Sequence, residues 1–153
     1  MKRLSLTLSL VTLASVCSLT LGAEAGPTHH SGVIDTSETW YSSGNPHILD
    51  GDVYTGDSVT LTIMPGCTVQ VSADAELYTG YADPGAIVAV GTADSMITFT
   101  SLSDTVPGSW RSVSFYSRTM PTAQLSYVTL EYAGSDISED GGFYQSVAEG
   151  TYA

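Results

Sequence analysis

The chain holds two cysteines in 153 residues. Cys17 falls in an N-terminal apolar stretch, which leaves Cys67 alone in the remainder and excludes an intramolecular disulfide there. Stability must therefore come from packing. Flanked by Gly66 and Thr68-Val69 in a strand-like pattern, Cys67 reads as a small core residue and not as a nucleophile. Cationic side chains are almost as scarce, with four Lys and Arg against 16 acids and a formal charge of −12. Beyond residue 25 only Arg111 and Arg118 remain. Such a balance makes nucleic acid and anionic membranes poor partners, because phosphate recognition needs basic side chains to neutralise it. It suits a soluble protein whose acidic surface is solvated or holds divalent cations loosely. No helical period interrupts the stretch from Thr60 to Ser101. Gly-rich phosphate loops, zinc-ligand spacings and nucleophile elbows are also missing, which removes the commonest catalytic signatures.

What is present begins with an address. Lys2 and Arg3 precede an uncharged Leu/Val/Thr/Ser run ending near Leu21, and Ala23-Glu24-Ala25 follows. This is the pattern of a Sec-type signal peptide over residues 1–25, implying a secreted, cell-surface or periplasmic destination with no membrane association after cleavage. Val16 stands before Cys17 where a lipoprotein site wants a small residue, so lipidation is discounted. The rest is long enough for one domain and too short for two. Residues 26–43 are polar and rich in Gly, Ser and Thr. They read as a flexible lead-in or cap that becomes ordered near Trp40-Tyr41, ahead of a domain over 44–153. His29-His30 lie in that lead-in without a third ligand nearby, and are expected to be an exposed pair of no special role.

Between Thr60 and Ser101, four short runs of alternating β-branched and apolar residues are separated by Pro-Gly, Gly or Asp turns, which predicts strands. Leu61-Thr62-Ile63, Pro65-Gly66 and Cys67 to Val71 are echoed by Leu77-Tyr78-Thr79, Gly80 and Ala86 to Val90, at an offset of 16 residues. The second copy carries the extra residues Tyr81 to Gly85, expected to protrude as a loop. Further strands are predicted at 48–55, 96–100, 110–116 and 125–132. No connection is long enough for a crossover helix. Imperfect repetition favours a coil over a sandwich or a barrel. The expected inward positions are Leu61, Ile63, Val69, Val71, Ile87, Val90, Ile97, Phe99, Val113, Phe115, Val128 and Leu130.

These pieces resemble a family. Gly51-Asp52-Val53, TLTIMPGCTVQV, AVGTADSMITFTS, PGSWRSVSF and LSYVTLEYAG occur in the order found in right-handed parallel β-helix repeat proteins, in the opening coils of large secreted and surface proteins of bacteria. The likeness spans roughly Ser31 to Gly134. It implies an all-β, right-handed parallel β-helix (solenoid) of few coils with an open C-terminal end. The Tyr81 to Gly85 insertion and Ser112, where the family usually has glycine, are departures from the pattern. Members normally continue through further coils, so the chain is expected to be an N-terminal piece of a longer β-helix or to have its end covered by another chain.

For function, no catalytic set converges, and the matched segments are scaffold. The leading expectation is a non-catalytic extracellular structural, adhesion or carbohydrate-contacting module. A fragment of a carbohydrate-active enzyme of polysaccharide lyase or hydrolase type, with calcium-assisted chemistry, is the second. A truncated, non-functional gene product is the third. Tyrosines number nine; Tyr78, Tyr81 and Tyr116 are the chosen candidates to meet sugar rings in a polysaccharide or cell-surface glycan, with Tyr127 and Tyr132 behind them. Asp136, Glu139 and Asp140 beside Gly141-Gly142 form the best candidate cluster for calcium. Asp50, Asp52 and Asp57 could also serve a calcium loop, although Asp and Gly are ordinary turn residues. Arg111 is expected to face outward from a strand.

Overall fold

The structure is a computed structural model that describes residues 26–103, 105–135 and the backbone of 143–145. Alternation of apolar and polar residues yields twelve strands, in chain order β1 (Thr28–Ile34), β2 (Glu38–Trp40), β3 (His47–Thr55), β4 (Val59–Ile63), β5 (Thr68–Val71), β6 (Leu77–Thr79), β7 (Gly85–Val90), β8 (Ile97–Ser101), β9 (Val113–Phe115), β10 (Gln124–Ser126), β11 (Val128–Leu130) and β12 (Phe143–Gln145). A 3-10 turn, Ser42–Gly44, follows β2. Among the described residues there is no α-helix.

Every strand pairing among the described residues is parallel. The larger sheet runs β11-β8-β5-β3-β6-β9-β12 with β1 along β3, and the smaller runs β10-β7-β4-β2. Strand β3 is long enough to start two limbs, since His47 to Leu49 pair with β5 while Val53 and Tyr54 pair with β6. The chain leaves the large sheet for β4, β7 or β10 of the small one, then returns parallel to the strands it left. A parallel pair needs a long return path, and here another strand supplies it in place of a helix. The result is a curled parallel sheet whose inner face is the core.

Register aligns the inner face in rows. Val53, Leu77 and Val113 are neighbours across β3, β6 and β9. Val69 and Phe99 adjoin across β5 and β8, and Leu61 and Ile87 across β4 and β7. All seven are essentially inaccessible to water; each side chain so enclosed contributes about 2 kcal/mol of transfer free energy. Cys67 is buried in the same core, its thiol donating to the Trp40 carbonyl at 3.4 Å. Burial pushes the Cys67 pKa up, as expected of an inert packing thiol. Buried hydroxyls are paired, Thr55 with Thr79 at 2.6 Å. Asn45 braces a corner, donating to Gly66 O and accepting from Thr68 N, each at 2.8 Å.

Several sequence expectations differ from this arrangement. The stretch 26–43 contains β1 and β2, paired along β3 and β4, so strand structure begins before Trp40. The copies related by 16 residues do not stack: Leu61 pairs with Ile87 in the small sheet and Leu77 with Val53 in the large one. Val90 is not inward. With Ile87 and Ala89 on the core side, the two-residue alternation turns Val90 outward, 36% exposed. Val128 and Leu130 are only partly buried because β11 is the outermost strand of its limb. The single strand expected over 125–132 is two, broken at Tyr127, whose φ of 51° takes the chain around a corner.

Candidate functional site

Strands β3, β6 and β9 lie side by side, so their alternate residues form rows on the outer face. Tyr54, Tyr78 and Ser114 share one row by register. Tyr54 stacks on Tyr78 with centroids 4.9 Å apart and planes 10° from parallel. The small Ser114 in the third place leaves room for Tyr116, whose ring meets Tyr78 edge-on at 5.9 Å. Tyr81, on the inserted loop, packs edge-on against Tyr116 at 5.0 Å and Tyr78 at 6.1 Å. Four tyrosines thus make one cluster, and Tyr81 is its rim at 66% exposure. Burial is the main cause that raises the Tyr78 pKa, reinforced by Tyr54, Asp52, Glu76 and Tyr81, so its phenol stays protonated.

The inserted loop is anchored at three points. Gly80 O accepts from Arg118 N at 3.0 Å, Gly85 O from Met120 N at 2.7 Å, and Ala82 O from the Arg118 guanidinium at 2.8 Å. Gly80 itself takes a φ of 74° and lies against the Thr119 backbone, where a side chain has no space.

Under the cluster lies a buried carboxylate. Glu76 has a side chain 7% exposed and accepts from Arg111 Nη1 at 3.2 Å, Ser112 Oγ at 3.3 Å and Tyr116 Oη at 3.2 Å. Asp52 accepts from the Glu76 N–H at 3.0 Å and lies 4.0 Å from Arg111 Nη1. Arg111 is therefore a half-buried strut between two carboxylates and not the freely outward residue its strand position suggested. The hydrogen bond from Tyr116 to Glu76 fixes a ring that packs edge-on against both Tyr78 and Tyr81.

A second polar assembly sits where β1 and β2 end the stack. His30 and Trp40 stack at 4.0 Å between centroids, and Trp40 and His47 at 5.0 Å. The Trp40 indole N–H donates to Glu38 Oε1 at 2.7 Å. His47 Nε2 is 2.9 Å from the Tyr41 carbonyl, which only accepts, so this nitrogen carries the proton. In the tautomers this fixes, His47 Nδ1 accepts from His30 Nε2–H at 3.0 Å, and the lone pair is left on His30 Nδ1. Burial chiefly, and then His47, lower the His30 pKa to about 4. A cavity of about 310 Å³ opens beside these groups.

Tyr78, Tyr81 and Tyr116, separated in sequence, are brought together here; Tyr127 is exposed at its corner and Tyr132 is part of the edge of the core. Asp136, Glu139 and Asp140 lie outside the described residues. Asp50 pairs with His29 at 2.8 Å and Asp52 joins the Arg111 network, and among the described residues no three His, Cys, Asp or Glu side chains gather as a metal site. His29 is exposed as expected, whereas His30 is stacked and hydrogen-bonded. Tyr54, Glu76 and His47 were not among the sequence candidates. Tyr54 carried one usable signal, the shared spacing of Asp52-Val53-Tyr54 and Glu76-Leu77-Tyr78, an acid, an apolar residue and a tyrosine in each. No protein family, curated protein or solved structure matches this chain.

Proposed function

We propose that the chain is a non-catalytic extracellular module of right-handed parallel β-helix form that contacts carbohydrate through the Tyr54, Tyr78, Tyr81 and Tyr116 face. Parallel pairings, strand returns through a second sheet and stacked apolar rows support the coil. The observation that carries the function is the convergence of Tyr78, Tyr81 and Tyr116, with Tyr54, into one ring cluster. Tyrosine faces pack against the C–H faces of sugars, while phenol hydroxyls hydrogen-bond to their hydroxyls. Anchoring of the loop and of Tyr116 before any ligand arrives reduces the ordering cost of binding. Secretion by the N-terminal signal would bring such a module to glycans.

One observation favours the catalytic alternative: Asp52 and Glu76 converge on Arg111. Against it, Glu76 is buried under three donors and Arg111 is engaged with both carboxylates, an arrangement that holds rings in place. The test is retention on affinity gels of neutral β-glucan and of polygalacturonate, with Tyr81→Ala compared to the native protein. Tyr81 touches only neighbouring rings among its described aromatic contacts, so its loss spares the Glu76 network. Retention that Tyr81→Ala weakens supports the proposal, and absence of retention on every gel refutes it. Chain cleavage of polygalacturonate that an Arg111 variant abolishes would establish the enzyme instead.

A further inference from the structure

The β1/β2 end of the stack carries an inference independent of the tyrosine face. Thr28 and His30 occupy register positions beside His47 and Leu49, and Glu38 and Trp40 beside Leu61 and Ile63. Where the coils below place aliphatic side chains, the first layer thus has histidine, glutamate and tryptophan around a cavity of about 310 Å³. That volume is at the lower limit for small-molecule sites.

The chemistry of the lining is one-sided. Glu38 brings a carboxylate whose described partner is the neutral Trp40 N–H, and among the described residues no Lys or Arg pairs with it or lines the cavity. The His47 and Tyr41 relay leaves His30 Nδ1 as an acceptor. Tyr41, 57% exposed, adds a ring at the rim. A carboxylate without a Lys or Arg partner among the described residues, an imidazole lone pair and an aromatic face are together complementary to a small cation that has N–H donors. With two candidate metal ligands, Glu38 and His30, the set falls short of the three or four that a divalent transition metal takes.

We infer that this cavity binds a small organic ammonium, its N–H groups shared between the Glu38 carboxylate and His30 Nδ1. The experiment is calorimetric titration of the purified protein with glucosamine, methylammonium, N-acetylglucosamine and Zn²⁺ at neutral pH. Glu38→Gln is the informative variant, because the amide oxygen still accepts from Trp40 while the charge is gone.

The expected result is saturable binding of glucosamine and methylammonium. Glu38→Gln should weaken both by about tenfold or more, as should acetylation of the amine, since each removes a charge-assisted hydrogen bond. Should the variant not fold, the salt dependence of the native protein serves: ammonium binding weakens as ionic strength rises. Equal binding of glucosamine and N-acetylglucosamine would overturn the inference, as would an unaffected Glu38→Gln, an absence of saturation, or Zn²⁺ occupying the site in preference to either amine. None of these outcomes bears on retention by the tyrosine face.

Discussion

Acidification should destabilise the protein through His30 in a way that one substitution can isolate. The ring is half-buried and stacked on Trp40 with His47 beside it, and its pKa in the fold is about 4 against an ordinary 6.5. Burial is the main cause, and the neighbouring His47 adds to it, while Glu38 and Asp50 oppose the fall. Because the unfolded chain holds this proton more tightly than the fold does, the sign is fixed. Stability is complete above about 6.5, declines as pH falls from there toward about 4, and is level below. The full shift corresponds to about 3 kcal/mol, and solvent screening at a half-buried site reduces this to about 2 kcal/mol. His30→Gln removes the titration while retaining an N–H that reaches toward His47 Nδ1. Urea unfolding of both proteins, followed by tryptophan emission at a series of pH values, gives the difference in stability directly. Titration of carboxylates remote from His30 affects both proteins alike and cancels. The native protein should lose about 2 kcal/mol relative to His30→Gln between about pH 7 and pH 4. A difference independent of pH, or one that grows in favour of the native protein on acidification, would refute the argument.

Two further substitutions test the packing beneath the tyrosine face. Arg111→Ala leaves the buried Glu76 carboxylate without its cation and should cost about 2–3 kcal/mol in urea unfolding; Arg111→Ala with Glu76→Gln should recover part of that, and strict additivity of the two would contradict the coupling. Gly85→Ala places a methyl group against the paired hydroxyls of Thr55 and Thr79, so a loss of about 1–3 kcal/mol is expected from overpacking, checked by the shift in melting temperature; an unchanged melting temperature would mean that this corner yields more easily than its geometry shows.

Much of the strand content was legible because it depends on neighbours in sequence. A strand turns alternate side chains to opposite faces, so Leu61 with Ile63 and Val69 with Val71 declare a buried side without reference to any partner. The same rule, followed through Ile87 and Ala89, shows why Val90 is on the outside. The lead-in was harder to read, since β1 is polar along most of its length and is a strand because β3 pairs with it. Its sequence, THHSGVI, has the alternation but few of the apolar residues that make alternation visible.

The site was legible only as a list of residue types. Aromatic richness singled out Tyr78, Tyr81 and Tyr116, and no rule of spacing joins Tyr78 to Tyr116. They meet because Leu77 pairs with Val113 and the serine at position 114 leaves space. Glu76 gave no sign of burial, for a carboxylate beside a turn is ordinarily solvated; Arg111, Ser112 and Tyr116, which flank β9, arrive to enclose it. His47 likewise looked like one polar residue before an apolar pair until Trp40 and His30 stacked around it.

The sequence by itself determined the local alternation, the turns at Gly66 and Gly80, the excess of acid and the packing role of Cys67, all of which follow from a residue and its immediate neighbours. Tertiary structure alone decided which strands adjoin, and hence that Leu61 meets Ile87 instead of its echo Leu77. The physical reason is that a parallel neighbour is reached only after the chain has travelled through the other sheet. Register then depends on the summed lengths of the intervening turns and on how the enclosed side chains fill the core. The tyrosine cluster, the enclosed Glu76 and the histidine relay are consequences of that register, with no counterpart in any contiguous stretch of residues.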